Sequence, residues 1–282
     1  MPGAEATPFV IGGAPAIHGE RAGEGPPIVL CHGVTATRRY VHHGSRTLER
    51  AGHEVIAYDA RGHGESDPAP PGEGYGYPWL VADLERVVAA RVGEEGRFVL
   101  AGHSMGAHTA VAYALAHPER LLGLVAIGPV YTGQVSAESL AYWDGLATAL
   151  EQGGVDGFVG YIDRNQSTDP AWRQSVLAFT RARMLLQRHP EALVQALREV
   201  PRSRPFGSMA ELEQLDVPAL VVASHDAADP GHPYAAAAAY AARLPRADLI
   251  SEEEGQSPLA WQGGRLSREL AAFYTKALSS SL

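Results

Sequence analysis

The 282-residue sequence contains one cysteine, Cys31, and one lysine, Lys276. A single thiol excludes an internal disulfide and a cysteine-based metal cage. Positive charge is scarce: 23 basic residues face 32 acidic ones, a net charge of −9, which argues against a nucleic-acid-binding surface. No apolar run approaches the roughly 20 residues needed to span a bilayer. Residues 1–11 lack the basic start and long apolar stretch of a secretory signal, so a cytoplasmic protein is expected. The lysine scarcity, together with the alanine richness, reads as coding bias and carries no functional conclusion. The twelve histidines lack carboxylates at ligand spacing, so no metal site is expected. Gly12-Gly13 and Gly72-x-Gly74-x-Gly76 do not follow a strand and open a helix, as a dinucleotide site requires. No cofactor is implied.

Short apolar runs alternate with longer helical patterns. Ile28–Cys31, Glu54–Asp59, Arg97–Gly102, Leu121–Ile127, Pro218–Ala223 and Ala247–Ser251 read as buried strands. Helical patterns lie near Arg38–Ala51, Pro78–Val92, Met105–His117, Tyr234–Leu244 and Leu266–Leu278. Phe9–Ile11 and Pro15–His18 read as an antiparallel edge hairpin. Such alternation predicts an α/β fold with a mostly parallel sheet covered on both faces. Residues 131–213 break the pattern. Leu140, Trp143, Leu146, Ala147 and Leu150 fall at helical spacing, as do Trp172, Val176 and Phe179, and then Leu193, Val194 and Leu197. This stretch reads as a helical lid, with 1–130 and 214–282 forming the core.

Gly102-His103-Ser104-Met105-Gly106 fits G-x-S-x-G between a strand and a helix. In that context the serine is a candidate nucleophile. It would stand on a strained turn at a helix N-terminus, where the dipole favours negative charge. His32-Gly33-Val34 follows the first buried strand. The backbone N–H groups of Val34 and Met105 are candidates for an oxyanion hole. His32 is expected to pack a loop.

These segments, with Asp59-Ala60-Arg61-Gly62-His63-Gly64-Glu65-Ser66, resemble the α/β-hydrolase fold family in its lidded esterase, lipase and haloperoxidase-like branch. The resemblance implies a central, mostly parallel sheet of about eight strands with a helical cap. The Asp59–Ser66 segment is similar to the family's D-x-R-G-x-G-x-S loop, which is structural. The resemblance places the triad acid in Ser224–Pro233, where Asp226 and Asp229 compete and Asp229 fits somewhat better.

The resemblance also places the triad histidine after the last strand, in a G-H-x-P-like segment. Here that segment is Gly255-Gln256-Ser257-Pro258, and Gln256 stands in the histidine's place. A glutamine amide cannot accept the serine proton near neutral pH. Four explanations follow. His225, His232, His103 or His32 serves as base; the substrate supplies the base; the protein has lost hydrolysis; or Gln256 is an introduced change. The acidic run Glu252–Glu254 reads as a solvated strand end. The expected function is hydrolysis of a small or medium ester, thioester or lactone, an apolar acyl compound, with an atypical triad. The contrasting expectation is a non-hydrolytic member of the fold: a ligand-binding pseudoenzyme, or a lyase or cyclase using the oxyanion hole. A serine at the elbow argues against aspartate-nucleophile epoxide hydrolysis. Oligomeric state is not readable.

Overall fold

The computed structural model describes residues 5–225 and 228–279. The chain runs β1 (Thr7–Ile11), β2 (Ile17–Ala22), β3 (Pro27–Cys31), α1 (Thr47–Arg50), β4 (Glu54–Tyr58), α2 (Tyr77–Arg91), β5 (Phe98–His103), α3 (Met105–Ala116) and β6 (Leu121–Ile127). Then come α4 (Ala137–Asn165), α5 (Pro170–Met184), α6 (Pro190–Glu199), β7 (Ala219–Val222), α7 (Tyr234–Arg243), β8 (Ala247–Ile250) and α8 (Gly263–Ser279). The strands form one eight-stranded sheet in the order β1-β2-β4-β3-β5-β6-β7-β8. β1 and β2 are antiparallel, and every pairing from β4 to β8 is parallel. This is the predicted α/β-hydrolase-type sheet.

The central strands are apolar throughout because both their faces are covered. Along β5, Phe98 and Leu100 enter one core with Leu84, Val87 and Val88 of α2 and Ala110 and Val111 of α3. Val99 and Ala101 enter the opposite core with Leu266, Leu270, Phe273 and Tyr274 of α8. Burying each large side chain stabilises the fold by about 1.5–3 kcal/mol relative to leaving it exposed.

The edge hairpin is longer than its sequence signal, and its second strand begins beyond Pro15. The helix expected over Arg38–Ala51 is absent. A 3-10 turn at Arg38–Tyr40 and the single turn α1 replace it. Arg38 is drawn to Asp59 by both its backbone N–H and its guanidinium. His43 and Gly44 then take positive φ, which no helix allows.

Between β6 and β7 the described chain is helical, without a strand. Leu146, Leu150, Phe158, Ile162, Leu193 and Leu197 share a third apolar cluster with Val34, Tyr75 and Met105. The helices therefore pack over the carboxyl ends of β3 and β5, where ligands bind in open α/β sheets. Side-chain clamps hold them there. Gln187 accepts from Gly64 N at 2.8 Å and donates to Ala36 O at 3.0 Å. Glu199 and Ser203 accept from Tyr75 N and Tyr77 N. No helix among the described residues is long and apolar enough to cross a membrane.

Two histidines fasten the core in a form that forbids protonation. His32 Nε2 accepts from Ala60 N at 2.9 Å, while Nδ1 lies 2.8 Å from Gly33 O and donates to it. His108 Nε2 accepts from Val130 N and Tyr131 N, and its Nδ1 faces the Tyr77 hydroxyl. Burial, with neighbouring positive charge, pushes both down to about 3. The unfolded chain takes up these protons below about 6.5, and the folded chain does not. Stability is therefore full above pH 6.5 and falls as pH drops towards 3. At pH 5 each histidine accounts for a loss of up to about 2 kcal/mol. Urea unfolding at pH 7.5, 6 and 5 should show a falling midpoint. His108→Gln should flatten the slope.

Candidate active site

Ser104 stands at the junction of β5 and α3 with φ 53° and ψ −114°, a backbone conformation rarely populated by a residue with a side chain. Its N–H donates to Ile127 O at 2.9 Å, which ties the turn to the end of β6. The flanking glycines are demanded by close approach. A Cβ on Gly102 would lie 2.1 Å from Gly106 O, and one on Gly106 would lie 2.1 Å from Cys31 O. The motif glycines thus let α3 start directly against β3.

A cavity of about 590 Å³ opens over this turn. Ser104, His103, Gly33, Val34, Met105, Asp229 and His232 all line it. Val34 and Met105 present N–H groups with no hydrogen-bond acceptor among the described residues; that of Met105 is orphaned by its place at the start of α3. The remaining walls are largely apolar, drawn from Tyr142, Trp143, Leu146, Phe158, Val176 and Phe179 of the helical segment.

Asp229 and His232 form a pair within the loop after β7. His232 Nδ1 lies 2.8 and 2.9 Å from the two carboxylate oxygens. Both side chains are largely enclosed, 10% and 18% exposed. Burial raises the Asp229 carboxyl, but the charge of His232 and its hydrogen bond outweigh this, and the net shift is downward. An ionised carboxylate only accepts, so Nδ1 carries the proton. The tautomer is thereby fixed with Nε2 as a free acceptor, and it makes no hydrogen bond among the described residues. The same ring packs against the end of β6: a Cβ on Gly128 would lie 3.1 Å from His232 Cδ2, the carbon bonded to Nε2.

His103 lies beside His232, with ring centroids 4.9 Å apart. Its Nε2 is buried without a partner. Burial, and then the charge of His232, hold it well below the usual histidine range.

Other candidates lie elsewhere. Gln256 is exposed, donating to Glu253 at 2.8 Å and accepting from Arg265 at 3.1 Å. It does not line the cavity. His225 is exposed and stacks on Tyr234 at 3.9 Å. His32 is bonded to Ala60 N and Gly33 O and does not line the cavity. Asp226 lies outside the described residues. Glu252 departs from the reading of its run as a solvated strand end. It is buried and accepts from Ser224 Oγ, His225 N and Leu259 N, joining the loops after β7 and β8. Glu253 and Glu254 are exposed.

The Asp59–Ser66 loop is a brace. Asp59 is fully buried and accepts from Arg38 N, the Arg38 guanidinium and Glu65 N. Arg61 makes a two-pronged pair with Asp83 at 2.6 and 2.9 Å.

A sequence model described as the alpha/beta hydrolase fold matches residues 26–257. The chain belongs to the α/β-hydrolase fold family. A pimeloyl-[acyl-carrier protein] methyl ester esterase of Aeromonas hydrophila is 30% identical over 194 residues, covering 69% of this chain and 68% of that one. Epoxide hydrolase B of Mycobacterium tuberculosis is 35% identical over 111 residues, 39% of this chain. The matched stretch spans about a third, 31%, of that enzyme's own length. Among solved structures, a thermophilic esterase from Thermogutta terrifontis superposes with TM-score 0.78 at 22% identity, covering 97% of this chain and 99% of that one. A bromoperoxidase from Bacillus anthracis gives 0.73 at 20%, with 97% and 99% coverage. Relatives of this α/β-hydrolase thus include esterases and other hydrolases.

The brace predicts a stability effect remote from the cavity. Asp59→Asn leaves part of the buried Arg38 charge uncompensated and should destabilise the fold by about 3 kcal/mol. Chemical denaturation measures it.

Proposed function

We propose that the protein is a serine hydrolase of small or medium acyl compounds in which His232, held by Asp229, takes the place of the histidine that Gln256 lacks. The observation that carries this reading is the Asp229–His232 pair opening into the same cavity as Ser104. Nε2 receives the Ser104 proton as the hydroxyl attacks the acyl carbon, and later returns it to the leaving group. Val34 and Met105 N–H hold the oxyanion. Asp229 keeps the ring oriented and balances the imidazolium. His103 is the rival base. It has no carboxylate to orient it, and its depressed pKa makes it a weak proton acceptor.

Ser104 stands where an epoxide hydrolase of this family carries aspartate, so the esterase relatives are the better guide than the epoxide hydrolase. The reading treats 131–213 as a cap on the 1–130 and 214–282 core. Its apolar wall suits an apolar acyl chain, with an ester, thioester or lactone at the turn.

A fluorophosphonate should label Ser104, read by intact and peptide mass, and a p-nitrophenyl ester should turn over. Removing the hydroxyl with Ser104→Ala, or the base with His232→Ala, should each cut kcat/KM by about 10³-fold or more. Gln256→Ala should stay within about twofold, since its side chain faces solvent. An inert wild type that gains turnover on Gln256→His would instead show a lost base and support the non-hydrolytic reading. Equal activity in His232→Ala and wild type would overturn the assignment of the base.

A further inference from the structure

Arg183 sits in the last turn of α5 and lines the cavity with Ser104, Asp229 and His232. Its neighbours in sequence are paired: Arg181 with Asp156, and Arg188 with Glu65 at 2.5 Å. The Arg183 side chain forms no ion pair and no hydrogen bond among the described residues, and its Nε is buried without a partner. Its guanidinium carbon lies 5.6 Å from the Phe179 ring centroid, so an aromatic face backs it. Asp229 is near enough to be felt electrostatically, but that carboxylate is engaged by His232. Burial lowers the guanidinium pKa, a sign of poor hydration, yet arginine retains its charge in proteins.

A half-buried cation held without an ion pair is costly, and a chain rich in carboxylates has placed none in direct contact with this one. We propose that Arg183 is the recognition site for a single carboxylate carried by the substrate away from its scissile carbonyl. This rests on the hydrolase reading above. The ligand class is an ester, thioester or lactone that also bears a carboxylate, on either its acyl or its alcohol part. One planar fork suits one carboxylate. A phosphate dianion would call for more than one cation, and the net charge of −9 disfavours it further. The negative field also means that general attraction does not draw in an anion, so selectivity for one must come from a local cation. The cavity of about 590 Å³ has room for such a compound beside its apolar wall.

Two matched substrate pairs separate the two positions of the carboxylate. Mono-p-nitrophenyl glutarate against p-nitrophenyl pentanoate places it on the acyl part. 4-Butanoyloxybenzoate against phenyl butanoate places it on the alcohol part. For at least one pair, Arg183→Met should lower the anionic-to-neutral ratio of kcat/KM by about tenfold or more, mainly through KM, with Arg183→Lys intermediate. Ratios that stay within about twofold for both pairs overturn the proposal. A second measurement does not need turnover. Glutarate or 4-hydroxybenzoate should raise the melting temperature of Ser104→Ala, and the added Arg183→Met should abolish that shift. If no ester is turned over but this protection depends on Arg183, the hydrolase reading fails and the anion site stands. If neither acid protects Ser104→Ala and no ester is turned over, both fail. Arg183→Gln repeats each measurement should Arg183→Met not fold.

Discussion

A β-carbon on Gly106 would lie 2.1 Å from the Cys31 carbonyl oxygen, and this near-contact between α3 and the end of β3 orders the rest of the site. It brings the orphaned N–H groups at the start of α3 beside those of the Gly33–Val34 turn. It also forces the chain to reverse within one residue, so Ser104 takes the strained φ of 53°. Strain of this kind costs on the order of 1–3 kcal/mol and persists only when surrounding structure over-determines it. Here the surroundings are parallel pairings on both sides of β5, a backbone bond from Ser104 to Ile127, and two cores that bury alternate residues of the strand. The sheet supports the turn, and the turn aims the hydroxyl.

The helical segment is fixed by the same loops. Gln187 bonds to Ala36 O and Gly64 N, so the end of α5 is clamped to the Val34 turn and to the Asp59–Ser66 brace together. Arg183 lies one helical turn before that clamp. Its guanidinium therefore has a defined position relative to the Val34 N–H, which a side chain on a freely moving lid would lack. The brace and the cavity wall are mechanically one unit, although they are far apart in sequence.

Much of this was legible from pattern. Continuous apolar runs located the central strands because both their faces are buried. G-x-S-x-G located the elbow because its glycines answer steric demands that no other residue meets. Other features were hidden because they depend on contacts between distant segments. The helix expected over Arg38–Ala51 lost to Arg38's attraction to Asp59, which no local window contains. Glu252 looked like its two acidic neighbours, but only the meeting of the β7 and β8 loops distinguishes it. Arg183 carried no signal beyond an amphipathic helix. Its meaning lies in the absence of a partner that Arg181 and Arg188 each have. The histidines near Asp229 were visible as candidates, but sequence distance alone could not choose between His225, stacked on Tyr234 and exposed, and His232, turned into the cavity.

In the proposed triad the acid and base come from one loop, three residues apart. Family resemblance drew attention to the loop after β8, where base and acid would lie on different segments and their alignment would depend on both. An Asp-x-x-His arrangement makes that alignment a local property of Asp229–His232, with Pro230 and Pro233 restricting the backbone at and just after it. The β8 loop then needs only to hold its neighbour in place. Glu252 does so by accepting from both loops at once. On this reading position 256 has no proton to move, so a glutamine facing solvent there is compatible with a working nucleophile. Glu252, rather than Gln256, is the residue through which a change in the last loop would reach the chemistry.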